Sequence, residues 1–255
     1  MLNEAQLRAD FMYMVPPFIA YYAADQGNET LLRESVAQCS KYRQVLRSNT
    51  SNLGLWEHIV GPQSSDQGLW STGNGWAAAG MARVLATVVR APAPVVGDED
   101  TSWRQEGINN LTAWTMEILD GALASPLDNG LVRNYMDQAD DSDGRGFGEI
   151  SGSALLASVV YRMAVLQPQS CGDRYTEWAD GVRTVLGGVH MTDDGIATPA
   201  VNPLGWQDGQ PYTSGSPEGQ AFVVLMYSGW RDCVLQGLCG KEQAVRRRGS
   251  RGQRS

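Results

Sequence analysis

The sequence predicts an all-α protein of helical hairpins stacked around an axis, either a closed α/α toroid or an open solenoid. Three observations carry this. Four segments open with small or polar residues and continue as apolar stretches of helical length, three amphipathic segments lie between them, and a short Gly-apolar element follows each amphipathic one. The unit of inner helix, outer helix, Gly-apolar turn and polar loop recurs at about 65 to 78 residues, the scale of a repeat architecture.

The inner segments are 10–24, 71–90, 149–166 and 216–231. Their apolar residues wrap most of the way round, with many Ala and Gly, as in helices buried on nearly all sides. Ser216-Pro217-Glu218 reads as an N-cap, a first-turn proline and a first-turn acid, and Pro16 and Pro17 likewise mark a helix start. The outer segments are 30–46, 102–123 and 175–186. In the first, Leu31, Leu32, Ser35, Val36, Cys39 and Tyr42 keep the i, i+3, i+4 spacing, while Arg33, Glu34, Gln38 and Lys41 take the other face. The Gly-apolar elements are 54–58, 130–134 and 195–199, and strand content is confined to short pieces near Leu55 and Leu131. Loops at 91–101, 136–148 and 202–215 are long enough to carry function.

A chain of 255 residues with 42% hydrophobic and 19% charged residues is globular. Its formal charge of −8 is unevenly spread. The last fifteen residues hold six of the 20 basic and one of the 28 acidic groups, so residues 1–240 hold 14 and 27, a net of −13. An acidic body argues against a nucleic-acid partner, whose phosphates need a basic face. Residues 1–240 read as one partial α/α domain and 241–255 as a basic disordered tail. No run of about 18 apolar residues crosses a membrane. The N-terminal residues carry no recognisable export signal, whereas the three N-x-S/T sequons at Asn28, Asn49 and Asn110 lean toward a secreted ancestry. Localisation stays open. Cys39, Cys171, Cys233 and Cys239 form no CxxC pair and have no His at zinc spacing, so no metal or other cofactor is expected. A Cys233–Cys239 bridge would need an oxidising compartment.

Hairpins repeating in one direction bring all four inner-helix starts to one end. Their orphan N–H groups and positive dipole ends then face one mouth suited to an anion or a hydroxyl-rich ligand. The same mouth is expected to collect Trp56, His58, Trp70, Asn74, Trp76 and Trp206, flat rings beside polar groups as a sugar requires. Asp10, Asp66, Glu149 and Glu218 are the candidate carboxylates, each at or just before an inner-helix start. Each also has a plainer role open to it: core packing for a tryptophan, helix capping for Glu149 and Glu218, a loop acid for Asp66, a structural histidine for His58. No G-x-S-x-G is present, and the GRGFG of 144–148 follows no strand, which removes a serine nucleophile and a phosphate loop.

Five motifs in order resemble the six-hairpin glycosidases, specifically glycoside hydrolase family 105, the unsaturated rhamnogalacturonyl hydrolases, and their fungal relatives. They are Asp10-Phe-Met-Tyr-Met-Val-Pro-Pro-Phe, Gly54-Leu-Trp-Glu-His, Trp70-Ser-Thr-Gly-Asn-Gly-Trp, Glu149-Ile-Ser-Gly-Ser-Ala and Ser216-Pro-Glu-Gly-Gln-Ala-Phe. The resemblance implies an (α/α)6 toroid and an oligosaccharide substrate ending in a 4,5-unsaturated galacturonic acid, derived from pectin. It implies hydration of the double bond: an aspartic acid protonates it, water adds at C5, and the hemiketal collapses to release the sugar. By the same resemblance Asp10 matches the first active-site aspartate, Trp70 and Trp76 the stacking tryptophans, and His58 the motif histidine; Trp56, Asn74, Glu149 and Glu218 are expected to bind substrate.

Two positions depart from the family pattern. An aspartate expected three residues after His58 is Gly61, and an arginine expected before Gly-Asn-Gly-Trp is Thr72. Loss of a positioned general acid costs about two to four orders of magnitude in rate. Asp66, five residues beyond Gly61, is the nearest substitute, so Asp10 and Asp66 are taken as catalytic, and replacing either by Asn is expected to abolish turnover. The count of about seven main helices, against twelve for six hairpins, reads as a toroid lacking its N-terminal hairpins, with exposed core faces available for self-association. Two other functions compete with the glycosidase: a catalytically weak carbohydrate-binding relative and a helical-repeat scaffold for protein partners.

Overall fold

The computed structural model describes residues 6–49, 54–92, 102–138 and 144–240, apart from 203 and 206. Seven helices lie within them: α1 (Phe11–Asp25), α2 (Glu29–Leu46), α3 (Ser71–Arg90), α4 (Ser102–Ala124), α5 (Ile150–Leu166), α6 (Asp173–Val189) and α7 (Pro217–Leu235). Inner helices α1, α3, α5 and α7 pack each on the next, and α2, α4 and α6 back onto α1, α3 and α5. The result is an arc of hairpins, an incomplete α/α toroid. The expected tail and Trp206 lie outside the described residues, as does most of the 91–101 loop.

Burial follows the sequence pattern. On α5 every residue from Ile150 to Tyr161 is buried, whereas α2 buries only Leu32, Ser35, Cys39 and Leu46. Asn28 caps α2, its Oδ1 accepting from the Leu31 N–H at 3.0 Å. The Arg43 guanidinium donates to both Glu117 carboxylate oxygens at 2.6–2.9 Å and ties α2 to α4.

The Gly-apolar elements lock each hairpin at one end. Gly54, Gly130 and Gly195 all have φ between +76° and +80°, a conformation in which a Cβ is strained. Four residues further on, the carbonyls of His58, Asn134 and Pro199 accept from the N–H groups of Ala9, Ser71 and Ile150 at 3.1, 2.8 and 2.9 Å. Thus the same bond fixes the start of α1, α3 and α5 in three successive repeats. Short strands accompany it: β1 (Leu7–Arg8) pairs antiparallel with β2 (Ile59–Val60), and β3 (Leu127–Asp128) with β4 (Leu131–Val132).

One expected boundary is corrected. Pro16 and Pro17 do not start α1; the helix begins at Phe11 and both prolines sit inside it. Lacking N–H groups, they leave the Met12 and Tyr13 carbonyls without helical donors. The Met12 carbonyl instead faces α3 at Gly80, where an added Cβ would meet it at 1.9 Å. At the other end of the chain Cys233 and Cys239 are bridged, and Cys39 and Cys171 are free and buried.

Candidate active site

The four inner-helix starts do share one end. Asp10, Trp70, Glu149 and Ser216 are the N-caps of α1, α3, α5 and α7. Contacts join each start to the next. The Ser71 and Thr72 hydroxyls of α3 donate to Glu149 Oε1 at 3.0 and 3.1 Å, and Gly219 of α7 lies against Ile150 and Ser151 of α5. On the α1 side, the Ala9 methyl packs at Gly73 of α3.

Glu149 is fully buried, and its carboxylate also accepts from the Ser151 and Gly152 N–H groups at 2.6 and 2.5 Å. Burial raises its pKa, opposed by these four bonds. With no exposed surface and every bond turned inward, Glu149 caps α5 and joins it to α3. Trp56 and Asn74 are enclosed in the same way. Both are fully buried; the Asn74 carbonyl accepts from Trp56 N at 2.8 Å, and its amide donates to the Trp56 and Trp70 carbonyls at 3.0 Å each. Asn74 splices the Gly-apolar turn to α3.

Around His58 the sequence builds a second network. His58 Nδ1 lies 2.9 Å from Asp66 Oδ2, the Tyr135 hydroxyl donates to that same oxygen at 2.6 Å, and the Gly68 N–H donates to Oδ1 at 3.2 Å. Burial pushes the Asp66 carboxyl upward, but the bonds from His58, Tyr135 and Gly68 outweigh it and hold the group below its ordinary range. Both Asp66 oxygens are thus engaged, Oδ2 by His58 and Tyr135 and Oδ1 by the Gly68 N–H. The His58 ring tilts over Trp70 at 4.4 Å, and Trp70 Nε1 donates to Asn134 Oδ1 at 2.9 Å. Asn134 and Tyr135 were not anticipated. Asn134 was nonetheless legible, because it holds the place in its Gly-apolar element that His58 holds in the first.

Of the predicted site residues within the described residues, Asp10, Asp66, Trp76 and Glu218 are partly accessible, and of these only Asp66 has both carboxylate oxygens engaged by hydrogen bonds. Asp10 makes no side-chain cap bond, and its Oδ1 is buried with no hydrogen-bond partner among the described residues. Trp76 stands edge-on to Tyr13 and to Phe222, with centroids 4.4 and 4.9 Å away. Burial, reinforced by the Glu149 and Asp10 charges, raises Glu218 to about 6, and the Trp76 indole, which favours the ionised form, only partly offsets this. Glu218 therefore carries a proton in a range where ordinary carboxylates have lost theirs. A cavity of about 540 Å³ lies farther along the inner helices, between Tyr13, Arg83, Leu155, Arg162 and Leu225, away from these carboxylates.

The family model for Glycosyl Hydrolase Family 88 matches residues 1–198. The chain belongs to this family. The resemblance to family 105 is thereby placed one step wider, since solved structures from both families share the fold of this family 88 chain. A possible family 105 member from Salmonella enterica superposes with a TM-score of 0.70 at 17% identity over 88% of this chain and 56% of its own. A family 88 glycosyl hydrolase from Bacteroides vulgatus gives 0.65 at 18% identity, over 87% and 61%. The unsaturated glucuronyl hydrolase of a Bacillus species, responsible for glycosaminoglycan degradation, gives 0.66 at 15% identity, over 92% and 60%. The chain thus spans about three fifths of these structures. No curated protein matches the sequence. Among the described residues, no group of three or more His, Cys, Asp or Glu is placed to hold a metal ion, and no helix is long and apolar enough to cross a membrane.

Proposed function

We propose that this family 88 chain hydrolyses saccharides ending in a 4,5-unsaturated uronic acid, with unsaturated galacturonyl-rhamnose fragments of rhamnogalacturonan, as in the fungal relatives its motifs resemble, as the substrate class. The observation that carries this reading is the meeting of Asp10, Trp76 and Glu218 at one mouth formed by the starts of α1, α3 and α7. Trp76 offers a flat face for the sugar ring, buttressed by Trp70 and the His58–Asp66–Tyr135 network. The helix N-termini supply positive partial charge for the substrate carboxylate, which an acidic body would otherwise repel. Hydration of the C4=C5 bond needs a proton for C4 and a carboxylate to receive one from the attacking water, and Asp10, with a buried unpartnered oxygen, suits the second task.

Incubation with an unsaturated galacturonyl-rhamnose disaccharide and with its unsaturated glucuronyl counterpart tests the reading, because the conjugated double bond absorbs in the far ultraviolet and hydration removes that band. Loss of the band with the first substrate and not the second supports the rhamnogalacturonan class. A second reading, a carbohydrate-binding relative with little catalysis, is favoured by Gly61 and Thr72, where the resembled motifs carry an acid and an arginine. Calorimetric binding without loss of the band would select it. The exposed face of α1 further suggests self-association of the chain.

A further inference from the structure

Resting on the reading above, we infer that Glu218 is the proton donor of the hydration and that Asp10 is its partner base, a pair that stands in for the acid missing at Gly61. The argument is one of elimination by geometry. Five carboxylates lie at the inner-helix starts or in the segment before α3, and one of them, Glu57, is buried in the Gly-apolar turn behind His58. Glu149 is fully buried and bound by two backbone N–H groups and two hydroxyls. Asp66 is engaged on both oxygens by His58, Tyr135 and the Gly68 N–H. Neither can turn toward a sugar without breaking several bonds and leaving buried groups unsatisfied. Asp10 and Glu218 are left. Glu218 stands in the first turn of α7, outside the cap that Ser216 already provides to the Gly219 N–H, so helix capping does not consume it.

The surroundings assign the two roles. Facing Glu218 are Asp10 from α1, Glu149 from α5 and the Trp76 indole from α3. Two negative neighbours and partial burial favour the neutral acid, and the indole's opposing influence does not reverse that. A neutral Glu218 also lowers the charge that an anionic uronate meets at the mouth. In the reaction the Glu218 carboxyl proton passes to C4, and the C4=C5 π pair becomes the new C4–H bond. The water oxygen bonds to C5 while its proton goes to the Asp10 carboxylate. The C5 hemiketal opens to the 5-ketone as its hydroxyl proton passes to the ring oxygen and the ring C5–O bond breaks, the C1 hemiacetal so formed becomes the aldehyde as its hydroxyl proton passes to the departing saccharide oxygen, and the proton on Asp10 returns through solvent to Glu218.

The test is a pH profile of kcat and KM on the unsaturated galacturonyl-rhamnose disaccharide for the wild-type chain and the variants Glu218→Gln, Glu218→Asp, Asp10→Asn and Trp76→Phe, with thermal melts to establish folding. Glu218→Gln is expected to lower kcat by about 10²- to 10⁴-fold with KM within a few-fold, and Glu218→Asp to restore part of it. Asp10→Asn, which removes the base, should lower kcat as severely as Glu218→Gln, and the alkaline limb should move to higher pH in Trp76→Phe, where an indole that favours the ionised form is lost. A folded Glu218→Gln chain that keeps wild-type kcat and its alkaline limb overturns the inference while leaving the proposed function standing. A wild-type chain that leaves the double bond intact at every pH overturns both.

Discussion

The Met12 carbonyl oxygen lies 1.9 Å from the point where a Cβ on Gly80 would stand. Pro16 cannot donate to this carbonyl, so α1 turns an unpaired acceptor toward α3, and α3 meets it with the one residue that has no side chain. Gly80→Ala must push the two inner helices apart against backbone. It is expected to lower stability by about 1–3 kcal/mol or more, read as a fall in melting temperature. Gly181 on outer helix α6 is the control: nothing lies within 4 Å of its would-be Cβ, and Gly181→Ala should stabilise by about 0.5–1 kcal/mol through helix propensity. Equal effects at both positions would refute the close crossing.

Asp66 makes stability depend on pH in a definite direction. Its carboxyl is held below the ordinary range, so the folded state releases this proton more readily than the unfolded chain. The stabilisation is present above the unfolded value of about 3.9 and is lost as pH falls through the lower folded value. Asp66→Asn should therefore be less stable than wild type by about 1–3 kcal/mol at pH 7, with the gap closing below about pH 4. Urea denaturation at the two pH values measures this. A gap that persists in acid would mean that the carboxylate is not what His58 and Tyr135 hold.

The fold was legible because one pattern repeats. Three amphipathic segments alternating with four apolar ones, each inner–outer pair closed by Gly-apolar residues, could be satisfied by little except stacked hairpins. The site was less legible for a physical reason. Trp56, Asn74 and Glu149 sit beside the helix starts in sequence, but a helix start presents residues to the core as well as to the mouth, and sequence position does not say which. Periodicity decides burial along a helix; at its first turn the bonds from the next hairpin decide it. The Glu149 carboxyl points at Ser71 and Thr72, 78 and 77 residues away, and no local signal contains that contact.

Glu149 gives the opposite pH dependence to Asp66. Burial raises its folded pKa, so its favourable contribution is complete below the unfolded value of about 4.3 and is lost as pH rises through the folded value. Glu149→Gln removes the titrating group, keeps one acceptor oxygen and should flatten that part of the stability profile. Glu149→Ala removes the cap altogether and leaves two hydroxyls and two N–H groups short of an acceptor. A loss of about 2–4 kcal/mol is expected, larger than for Gln, in chemical denaturation at neutral pH. If Ala is the milder change, the four bonds do not join α3 to α5 as described.

The last prediction concerns the outer side of α1. Met14, Phe18, Tyr21 and Tyr22 are 51%, 66%, 49% and 50% exposed, an apolar stripe on a helix whose mean hydrophobic content is that of an inner one. Phe18 and Tyr22 stack on one another at 6.3 Å across one helical turn and so present a flat patch to solvent. A contiguous surface of this kind gains about 25 cal/mol for each Å² removed from water, which favours association of two copies over solvation of each. Light scattering of the purified chain should give a mass above that of one 27.7 kDa chain and rising with concentration. Phe18→Lys and Tyr22→Lys, singly and together, place charge in the patch without touching a buried residue and should return the mass to the monomer with the melting transition intact. A wild-type mass that stays monomeric across the concentration range would mean that this stripe, exposed as it is, drives no assembly.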